Sequence, residues 1–376
     1  MKPRSPYAVF CALLFCGLSL CPVPAAPSAD SWQWREALAP RTWRFPHDHG
    51  AHPEYRTEWW YFTGNLADAK DNRYGYELTF FRQGIRGRPA DPQSPWSLRD
   101  LYFAHFTVTD AAGKRFFMDE RTSRTGPGLA GAASGGLDVH VLDWSAKQEG
   151  KEICLRARSG REEISLALTP AKPPVVHGEK GVSRKGPSPG QASYYDSCTD
   201  LRTTGFVRQP GQADPISLGG VSWFDHEFGS NQLAPDQVGW DWLGLHLSDG
   251  RDLMFYGLRR IDGTFEPASS GTMVDAAGKG RYLPLSSVAL RVLDHWRSPK
   301  SGASYPSRWR IVVPSSRLDL ELRPILADQE LLTAGSTGVT YWEGGVEGRG
   351  TSEGHPITCT GYVELTGYAA RLGGLF

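Results

Sequence analysis

The two halves of this 376-residue chain repeat a series of short motifs in the same order. The turn Asp110–Lys114, DAAGK, recurs letter for letter at Asp275–Lys279. One such match is ordinary turn chemistry, because Asp and Gly suit many β-turns. Five matches in one order predict two copies of one module, with a boundary within residues 203–220. The other four pairs are LDVHVLDW at 137–144 with VALRVLDHW at 288–296, ISLALTP at 164–170 with LDLELRP at 318–324, SYYD at 193–196 with TYWE at 340–343, and Trp43…Asp48-His49…Trp60 with Trp223…Asp225-His226…Trp240.

Each module is predicted to be antiparallel β structure. Strand-like runs rich in aromatic and β-branched residues alternate with Gly, Asn and Asp clusters, and no stretch keeps a helical period long enough for a major helix. An open sheet of this size would expose unpaired edges, which closure into an up-and-down barrel removes. We therefore predict an all-β protein of two antiparallel barrels packed together, each with an interior that can hold a small apolar ligand. A β-sandwich is the alternative.

The first residues have the pattern of an export signal. A basic start precedes the apolar stretch Ala8–Cys21, and Val23–Ala25 offers small residues for cleavage. We predict a signal peptide at 1–25, a first β domain at 36–207 and a second at 208–376. The exported protein would be periplasmic or extracellular. A lipid anchor is an alternative that the bulky residue before the candidate cysteine disfavours.

Charge and cysteine content exclude several classes of protein. The net charge is zero with 22% charged residues, which predicts no nucleic-acid partner. The exported chain keeps Cys154, Cys198 and Cys359. One disulfide with a free thiol and three buried thiols are both open. The wide spacing of these cysteines matches no zinc framework, so the fold must depend on its core.

Four motifs rich in Trp and Tyr stand out: EWWYFTG at 58–64, SYYDS at 193–197, WFDHEFG at 223–229 and GWDW at 239–242. With these motifs the chain resembles, over about residues 40–370, the secreted AttH-like family, which is related to the carotenoid 1,2-hydratases (hydroxyneurosporene synthases). The resemblance implies two lipocalin-like (calycin) barrels, in agreement with the duplication. It also implies an apolar ligand, since the hydratases add water to an isoprenoid double bond and other relatives act on or carry different apolar molecules.

The stretch Val221–Phe255 sets three ionisable residues, Asp225, His226 and Glu227, among tryptophans. On a continuous strand, Trp223, Asp225 and Glu227 share one face and His226 lies on the other. Two neighbouring carboxyls beside an apolar wall raise a pKa, as a general acid near neutral pH requires. We interpret Asp225 or Glu227 as the acid and His226 as an orienting or water-activating base. The alternative is a structural knot of hydrogen-bonded carboxylates.

Further aromatic and acidic residues are candidates for binding an apolar substrate. Tryptophans beside the acid could stabilise a cation by cation–π attraction, although a tryptophan stripe is also typical of a core. Glu58 begins an aromatic strand, where it is either a proton donor at a pocket mouth or a salt-bridge partner of Arg56 or Arg82. The predicted binding residues are Trp223, Trp240, Trp242, Tyr195, Trp60 and Glu58.

A second polar cluster comprises His47-Asp48-His49, His52 and Glu54. Imidazoles and carboxylates are suitable metal donors, but this spacing matches no fixed ligand pattern. We predict no metal here and expect Asp48-His49 to face Asp225-His226 across the domain junction. The sequence contains no phosphate loop and no His-Glu-x-x-His metal motif, which predicts chemistry without a cofactor.

Together these features predict an exported enzyme that acts on an apolar, isoprenoid- or lipid-like substrate. The chemistry would be cofactor-free acid–base catalysis, such as hydration of a double bond. The alternative is a non-catalytic periplasmic carrier of a hydrophobic ligand, associated with an envelope export system of the ABC type. Both hypotheses predict an apolar pocket for a hydrophobic small molecule, and only the enzyme predicts turnover.

Overall fold

The computed structural model describes residues 33–87, 94, 96–212, 214–231 and 233–372. The predicted signal peptide at 1–25 lies outside the described residues. Trp34–Phe376 form one compact unit built almost entirely from β-strands. Among the described residues, no helix has the length and apolar character that crossing a membrane requires. The helical elements of this described part are the short 3-10 helices His47–His49, Leu285–Ser287 and Pro314–Ser316.

The first sheet contains thirteen strands with antiparallel pairing. They are β1 (Thr57–Ala67), β2 (Arg73–Gly84), β3 (Asp100–Asp110), β4 (Arg115–Arg124), β5 (Ala130–Ala132), β6 (Asp138–Val141), β7 (Trp144–Glu149), β8 (Glu152–Ser159), β9 (Glu162–Pro170), β10 (Val175–Val176), β11 (Ser183–Arg184), β12 (Ala192–Arg208) and β13 (Ile216–Asn231). Their spatial order is β4-β3-β2-β1-β13-β12-β9-β8-β7-β6-β5, and β10 and β11 pair with β12.

The second sheet contains ten strands, also antiparallel. They are β14 (Gln237–Leu247), β15 (Asp252–Arg260), β16 (Ser270–Val274), β17 (Gly280–Pro284), β18 (Ala289–Arg297), β19 (Ser304–Val313), β20 (Leu318–Pro324), β21 (Glu330–Leu332), β22 (Thr340–Ser352) and β23 (His355–Leu365). Their order is β17-β16-β15-β14-β23-β22-β20-β19-β18, with β21 paired to β22.

The two sheet orders show the predicted duplication. In both sheets the first four strands run outward from the centre, the last strand pairs with the first, and the strand before the last follows it. The DAAGK turns join β3 to β4 and β16 to β17. The SYYD and TYWE motifs both lie at the starts of equivalent strands, β12 and β22. The ISLALTP and LDLELRP motifs lie in β9 and β20, which are the neighbours of β12 and β22. Three of the five motif pairs therefore occupy equivalent places in two copies of one sheet. LDVHVLDW lies in β6, whereas VALRVLDHW lies in β18, whose place in the sheet matches that of β7.

The pair of motifs around Asp48-His49 and Asp225-His226 is also not equivalent, and the sheets change later than expected. Residues 47–49 form a 3-10 helix, whereas Asp225 and His226 lie within β13. Strand β13 is the last strand of the first sheet, because its backbone pairs with β1 on one side and β12 on the other. The change of sheet falls between Asn231 and Gln237, beyond the boundary expected within 203–220. The division into folding domains at 36–207 and 208–376 stays a prediction.

Each sheet curls around its own apolar core. Aromatic and branched side chains such as Trp60, Phe80 and Trp144 fill the first, and Trp309 and Trp342 are among those that fill the second. The first sheet nearly closes and the second forms a half-barrel, which confirms tandem lipocalin-like barrels. Since bulky side chains occupy both interiors, the main cavity is not inside either barrel, contrary to the expectation of a ligand space within each module.

The first barrel closes where its outer strands meet. Thr125, after β4, bridges to Ala130 at the start of β5. The Arg121 guanidinium of β4 is ion-paired with Asp143, in the turn between β6 and β7, and sits 4.3 Å over the Trp144 ring. These contacts cover the edges that an open sheet would leave unpaired.

The three cysteines of the described chain are free thiols. Cys198 and Cys359 are buried and Cys154 is half-buried. The sequence left one disulfide or three thiols open, and the structure has three thiols. The stability of the fold therefore comes from the two cores, as the spacing of the cysteines suggested.

A third aromatic cluster joins the two barrels. It contains Tyr61 and Trp223 from the first sheet and Trp242 and Tyr362 from the second. The Tyr61 and Trp242 rings meet edge to face at 5.2 Å between centroids. Because this cluster is contributed by both sheets, the space beside it exists only when the two barrels are packed together.

Candidate active site between the two barrels

A cavity lies beside the aromatic cluster that joins the barrels. Its walls are mostly aromatic or aliphatic, interrupted by five carboxyl groups and one lysine. It leaves about 80 Å³ for the centres of water-sized molecules, several times what one water needs. It can therefore hold a small reacting group with a water beside it. The lining residues are Trp59, Tyr61, Glu77, Thr79, Phe81, Lys185, Tyr195, Asp225, Glu227, Leu233, Trp240, Trp242, Tyr256, Leu258, Tyr341, Glu343 and Glu364.

Strand β13 brings two of the three predicted catalytic residues to this cavity. Asp225 and Glu227 line it, whereas His226 does not. Successive side chains of a strand point to opposite faces, so His226 enters the interior of the first barrel. Trp223 is buried in the joining cluster behind the wall and donates its indole N–H to Asp225 at 2.5 Å. The alternation predicted for this strand is observed, and it separates His226 from the carboxyls it was expected to assist.

Asp225 is held by three hydrogen-bond donors. The Tyr195 hydroxyl donates to Oδ2 at 2.6 Å, and the Ser197 hydroxyl and the Trp223 indole donate to Oδ1. Burial raises the pKa of Asp225 to about 7, although these three donors lower it. Near neutral pH the carboxyl is thus divided between its neutral and charged forms in a fixed orientation.

Glu227 has a different environment from Asp225. Its Oε1 atom lies 2.8 Å from the Lys185 ammonium and accepts a hydrogen bond from the Ser193 hydroxyl at 2.5 Å. Although burial alone lowers the pKa of Lys185, the charge of Glu227 raises it. Glu227 and Lys185 therefore form an ion pair in the cavity wall, an arrangement that suits a carboxylate better than a proton donor.

Three further carboxyls, absent from the predicted set, complete the acidic lining. Glu77 lies on β2, Glu343 on β22 and Glu364 on β23. Burial raises the pKa of Glu77 to about 7 and that of Glu364 to about 8. Burial and the neighbouring charges of Glu77 and Glu364 raise the pKa of Glu343 well above its usual range. Glu343 belongs to the repeated TYWE motif, which was a signal for it. No sequence signal singles out Glu77 or Glu364, because each reads as an ordinary polar position in a strand.

The carboxyls of the cavity exceed its cations. Lys185 is the cationic side chain among the lining residues of the described structure, and it is paired with Glu227. Ionising several of the remaining four carboxyls together would place like charges side by side in an apolar space, which is costly. The cavity therefore holds neutral carboxylic acids at neutral pH, together with carboxyls poised to lose a proton.

The aromatic wall contains three of the predicted binding residues. Trp240, Trp242 and Tyr195 line the cavity. The Trp242 indole donates to the Tyr195 hydroxyl at 2.9 Å, and the Trp240 indole donates to Glu364 at 2.8 Å. These bonds orient the rings and leave their faces to form the apolar surface.

Two more of the predicted binding residues, Glu58 and Trp60, lie inside the first barrel. They share one face of β1, and Trp59 and Tyr61 of the opposite face line the cavity. Trp60 is fully buried and stacks on His226 at 5.3 Å between ring centroids. The two-residue period of a strand assigns its side chains to two faces, but it does not determine which of these faces lines the cavity.

Glu58 is the centre of a buried ion-pair network. Its carboxylate oxygens lie 3.0 Å from Arg82 Nε, His52 Nδ1 and His226 Nε2. Although burial disfavours the charged form, Arg82 and the two histidines hold the pKa of Glu58 well below its usual range. Of the alternatives for Glu58, the structure shows the salt bridge to Arg82. Arg82 also pairs with Asp100 at 3.0 Å.

The same network reaches the second predicted polar cluster. His49 Nε2 lies 3.1 Å from Asp196, which also pairs with His226 at 3.5 Å. His49 thus approaches His226 within the first barrel, not across a junction between barrels. Asp48 instead pairs with Arg41 at 3.4 Å and His47 at 3.2 Å.

Three atoms of this network have the spacing of metal ligands. Among the described residues, His52, Glu58 and His226 place possible ligand atoms within 4.8 Å of one another. Burial alone lowers the pKa of His226, but Asp196 and Glu58 raise it to about 9. Metal binding would have to displace the proton of His226 and compete with Arg82 for Glu58. In this structure, the three side chains are part of the ion-pair network around Glu58.

The fold and cavity define a class: a protein of two lipocalin-like barrels with an acid-lined, aromatic cavity between them. The family model for AttH-like proteins matches residues 36–368, so the chain belongs to the AttH-like family. This confirms the resemblance carried by the Trp-rich motifs.

Solved structures share this two-barrel fold. An AttH-type protein from Nitrosomonas europaea is 33% identical, with a TM-score of 0.77 over 88% of this chain and 100% of that one. Kievitone hydratase from Nectria haematococca is 14% identical, with a TM-score of 0.65 over 89% of this chain and 99% of that one. A sequence comparison with curated proteins gives no significant match. The fold is thus one that also occurs in a hydratase.

Proposed function

We propose that this protein is an enzyme that adds water to a carbon–carbon double bond of an apolar, isoprenoid- or lipid-like molecule. The observation that carries the proposal is the cavity itself, which sets several buried carboxyls with raised pKa values in aromatic walls. Such a site supplies a proton donor and a base at the same pH. The chemistry needs side chains of this chain alone. The hydratase of the same fold supports the proposal at the level of architecture.

Glu77 is the proton donor in this proposal. Its Oε1 atom contacts the Thr79 hydroxyl at 2.9 Å and the Tyr341 hydroxyl at 3.3 Å, whereas Oε2 is buried without a hydrogen-bond partner. An acid with one oxygen that has no hydrogen-bond partner, in an apolar cavity, can give its proton to an alkene carbon. A pKa of about 7 keeps much of Glu77 protonated at neutral pH, as a general acid requires.

Asp225 is the base that activates water. Its three donors fix the carboxylate and keep it available as an acceptor. Protonation of the double bond by Glu77 forms a carbon–hydrogen bond and leaves a carbocation on the neighbouring carbon. Water attacks this carbon and gives its spare proton to Asp225. The product is the alcohol, with Glu77 deprotonated and Asp225 protonated.

The aromatic wall stabilises the positive charge that develops between these steps. A cation over an aromatic face within about 6 Å gains about 0.5–2 kcal/mol. Trp240 and Trp242 are the candidates from the predicted set, and Tyr61 and Trp59 join them in the lining. Apolar walls also limit entry of bulk water, which favours addition of a single positioned molecule.

Export remains part of the proposal. The basic start and apolar stretch within residues 1–25 support a signal peptide, and we propose a periplasmic or extracellular enzyme on that ground. If the protein is instead a carrier, we propose that it is associated with an envelope export system.

Labelled water tests the proposed reaction. We expect incubation with linear isoprenoids and unsaturated fatty acids in water enriched in oxygen-18 to give, for at least one substrate class, a product that has gained one labelled water, detected by mass spectrometry. If native mass spectrometry shows that these ligands bind but no labelled product forms, the carrier hypothesis is correct and the enzyme hypothesis is wrong.

The rate of hydration is expected to have a bell-shaped pH dependence centred near neutrality. Glu77 must be protonated, so activity is lost as the pH rises through its pKa of about 7. Asp225 must be ionised, so activity is lost as the pH falls through its pKa, also about 7. The measurement is kcat/KM against pH. A rate that stays level from acid to alkaline pH would contradict the assignment of this pair.

A further inference from the structure

A continuous series of hydrogen bonds leads from the cavity to the protein surface. Glu77 Oε1 lies 3.3 Å from the Tyr341 hydroxyl, and this hydroxyl lies 2.6 Å from His105 Nδ1. On the other side of the ring, His105 Nε2 lies 2.9 Å from the Ser336 hydroxyl, which lies 2.5 Å from Glu120 Oε2. Glu77, His105 and Tyr341 are buried, whereas Glu120 is partly exposed.

Both barrels contribute to this series in alternation. Thr79 of β2, His105 of β3 and Glu120 of β4 are direct cross-strand neighbours on one face of the first sheet. Such neighbours stand about 5 Å apart, too far for direct hydrogen bonds between short polar groups. Tyr341 of β22 and Ser336 of the preceding turn fill the gaps from the second barrel. Glu120 also accepts from the Gly335 N–H at 2.8 Å, which fixes that turn on β4.

Each intermediate group can donate and accept a hydrogen bond at the same time. Tyr341 and Ser336 carry hydroxyls, and a neutral imidazole donates from one nitrogen and accepts at the other. Burial lowers the pKa of His105 to about 3, so the ring is neutral. When deprotonated Glu77 accepts from the Tyr341 hydroxyl, each following group can accept from the next one, so that every bond donates inward from a protonated Glu120.

The surroundings of His105 favour this neutral state. Tyr341 of β22 and Glu120 of β4 are the titratable groups on its two sides, and Ser336 separates its ring from the Glu120 charge. From β2, Phe81 packs on its ring at 5.1 Å between centroids, and Thr79 lies opposite it. None of these contacts places a carboxylate against the His105 imidazole. The His226 imidazole, by contrast, pairs with Glu58 and Asp196.

We propose that Tyr341, His105 and Ser336 form a proton relay between Glu77 in the cavity and Glu120 at the surface. Its role in turnover rests on the proposed function. Each hydration transfers one proton from Glu77 to the substrate and one from water to Asp225. Resetting the site needs one proton delivered to Glu77 and one released from Asp225 to water at the cavity mouth. The relay delivers the first to Glu77 Oε1, moving one proton inward along each hydrogen bond, and rotation of the carboxyl then brings this proton to the side of the alkene.

Hydrogen–deuterium exchange of the Glu77 carboxyl tests the relay without any substrate. The carbonyl stretch of protonated Glu77 is followed by infrared spectroscopy at pH 6 after a change from H2O to D2O, and is assigned from the band lost in Glu77→Gln. In His105→Gln and Ser336→Ala we expect exchange to slow about tenfold or more, because the deuteron must then come from the few waters that enter the apolar cavity. The glutamine amide can retain contacts to both neighbours but cannot pass a proton by changing tautomer.

Two matched variants separate a relay from a structural effect. Ser336→Thr keeps the hydroxyl and is expected to restore exchange to near the wild-type rate. His177→Gln replaces a second buried histidine, which contacts Thr272 and Ser197 instead of the Glu77 series, and is expected to leave exchange at Glu77 unchanged. Wild-type exchange rates in both His105→Gln and Ser336→Ala would overturn the relay. If the protein shows no hydration activity, the proposed function is wrong, but the exchange measurement still tests the relay because it uses no substrate.

Discussion

Glu77→Gln is expected to lower the turnover number for hydration by about 100- to 10,000-fold, the usual contribution of a positioned general acid. Glutamine keeps the size of the side chain and its contacts to Thr79 and Tyr341, but it has no acidic proton to give to carbon. Substrate binding should change little, because glutamine has nearly the same size as glutamate and the aromatic and aliphatic walls of the cavity are unchanged. The measurement is kcat and KM for a substrate identified with labelled water.

A matched control for this prediction is Glu162→Gln. Glu162 is another buried carboxyl of the first barrel, but it pairs with Arg115 at 2.6 Å and does not line the cavity. Turnover by this variant should stay near that of the wild type. If Glu77→Gln retained more than about a tenth of the activity, well above what loss of a general acid leaves, Glu77 would not be the proton donor.

Arg82→Met is expected to lower the free energy of unfolding by about 3–5 kcal/mol, the range for breaking a buried ion pair by removing one partner. The Arg82 guanidinium is buried and contacts Glu58 and Asp100, each at 3.0 Å, as well as the backbone carbonyls of His52 and Tyr55. Methionine carries no charge, so the carboxylates of Glu58 and Asp100 would lose the guanidinium that neutralises them in an apolar interior. Denaturant unfolding at neutral pH, analysed at constant m-value, measures the loss.

Arg310→Met provides the comparison at the surface. Arg310 pairs with Asp319 at 2.6 Å, but the two side chains are 53% and 37% exposed. An exposed pair contributes about 0–1 kcal/mol, so this variant should unfold almost like the wild type. Equal losses in Arg82→Met and Arg310→Met would show that the network around Glu58 is not a main source of stability.

Several features of the fold could be predicted because they depend on local chemistry or on repetition. Turn residues and alternating strands predicted an all-β chain, and three motif pairs located equivalent strands of the two sheets. The position of β13 was harder. Its motif comes after the boundary expected within residues 203–220 and looks like the start of a second module, but backbone pairing with β1 and β12 makes it the end of the first.

The candidate site was predictable only in part. Asp225 and Glu227 could be placed together, because residues two apart on a strand share a face. Glu77, Glu343 and Glu364 come from three other strands, and nothing in the local sequence of Glu77 or Glu364 distinguishes them from solvent-facing residues. Their pKa values depend on burial, which arises only when the second barrel covers the outer face of the first.

The sequence by itself determined the strand alternation, the repeated module and the family, because these follow from side-chain period, turn chemistry and motif order. Only the tertiary structure decided which face of each strand meets the other barrel. That choice sent Glu58, Trp60 and His226 into a closed interior, and it gathered Asp225 with carboxyls from distant strands. The physical reason is that a strand has two faces of similar composition here, and the packing of one barrel against the other determines which of them lines a cavity.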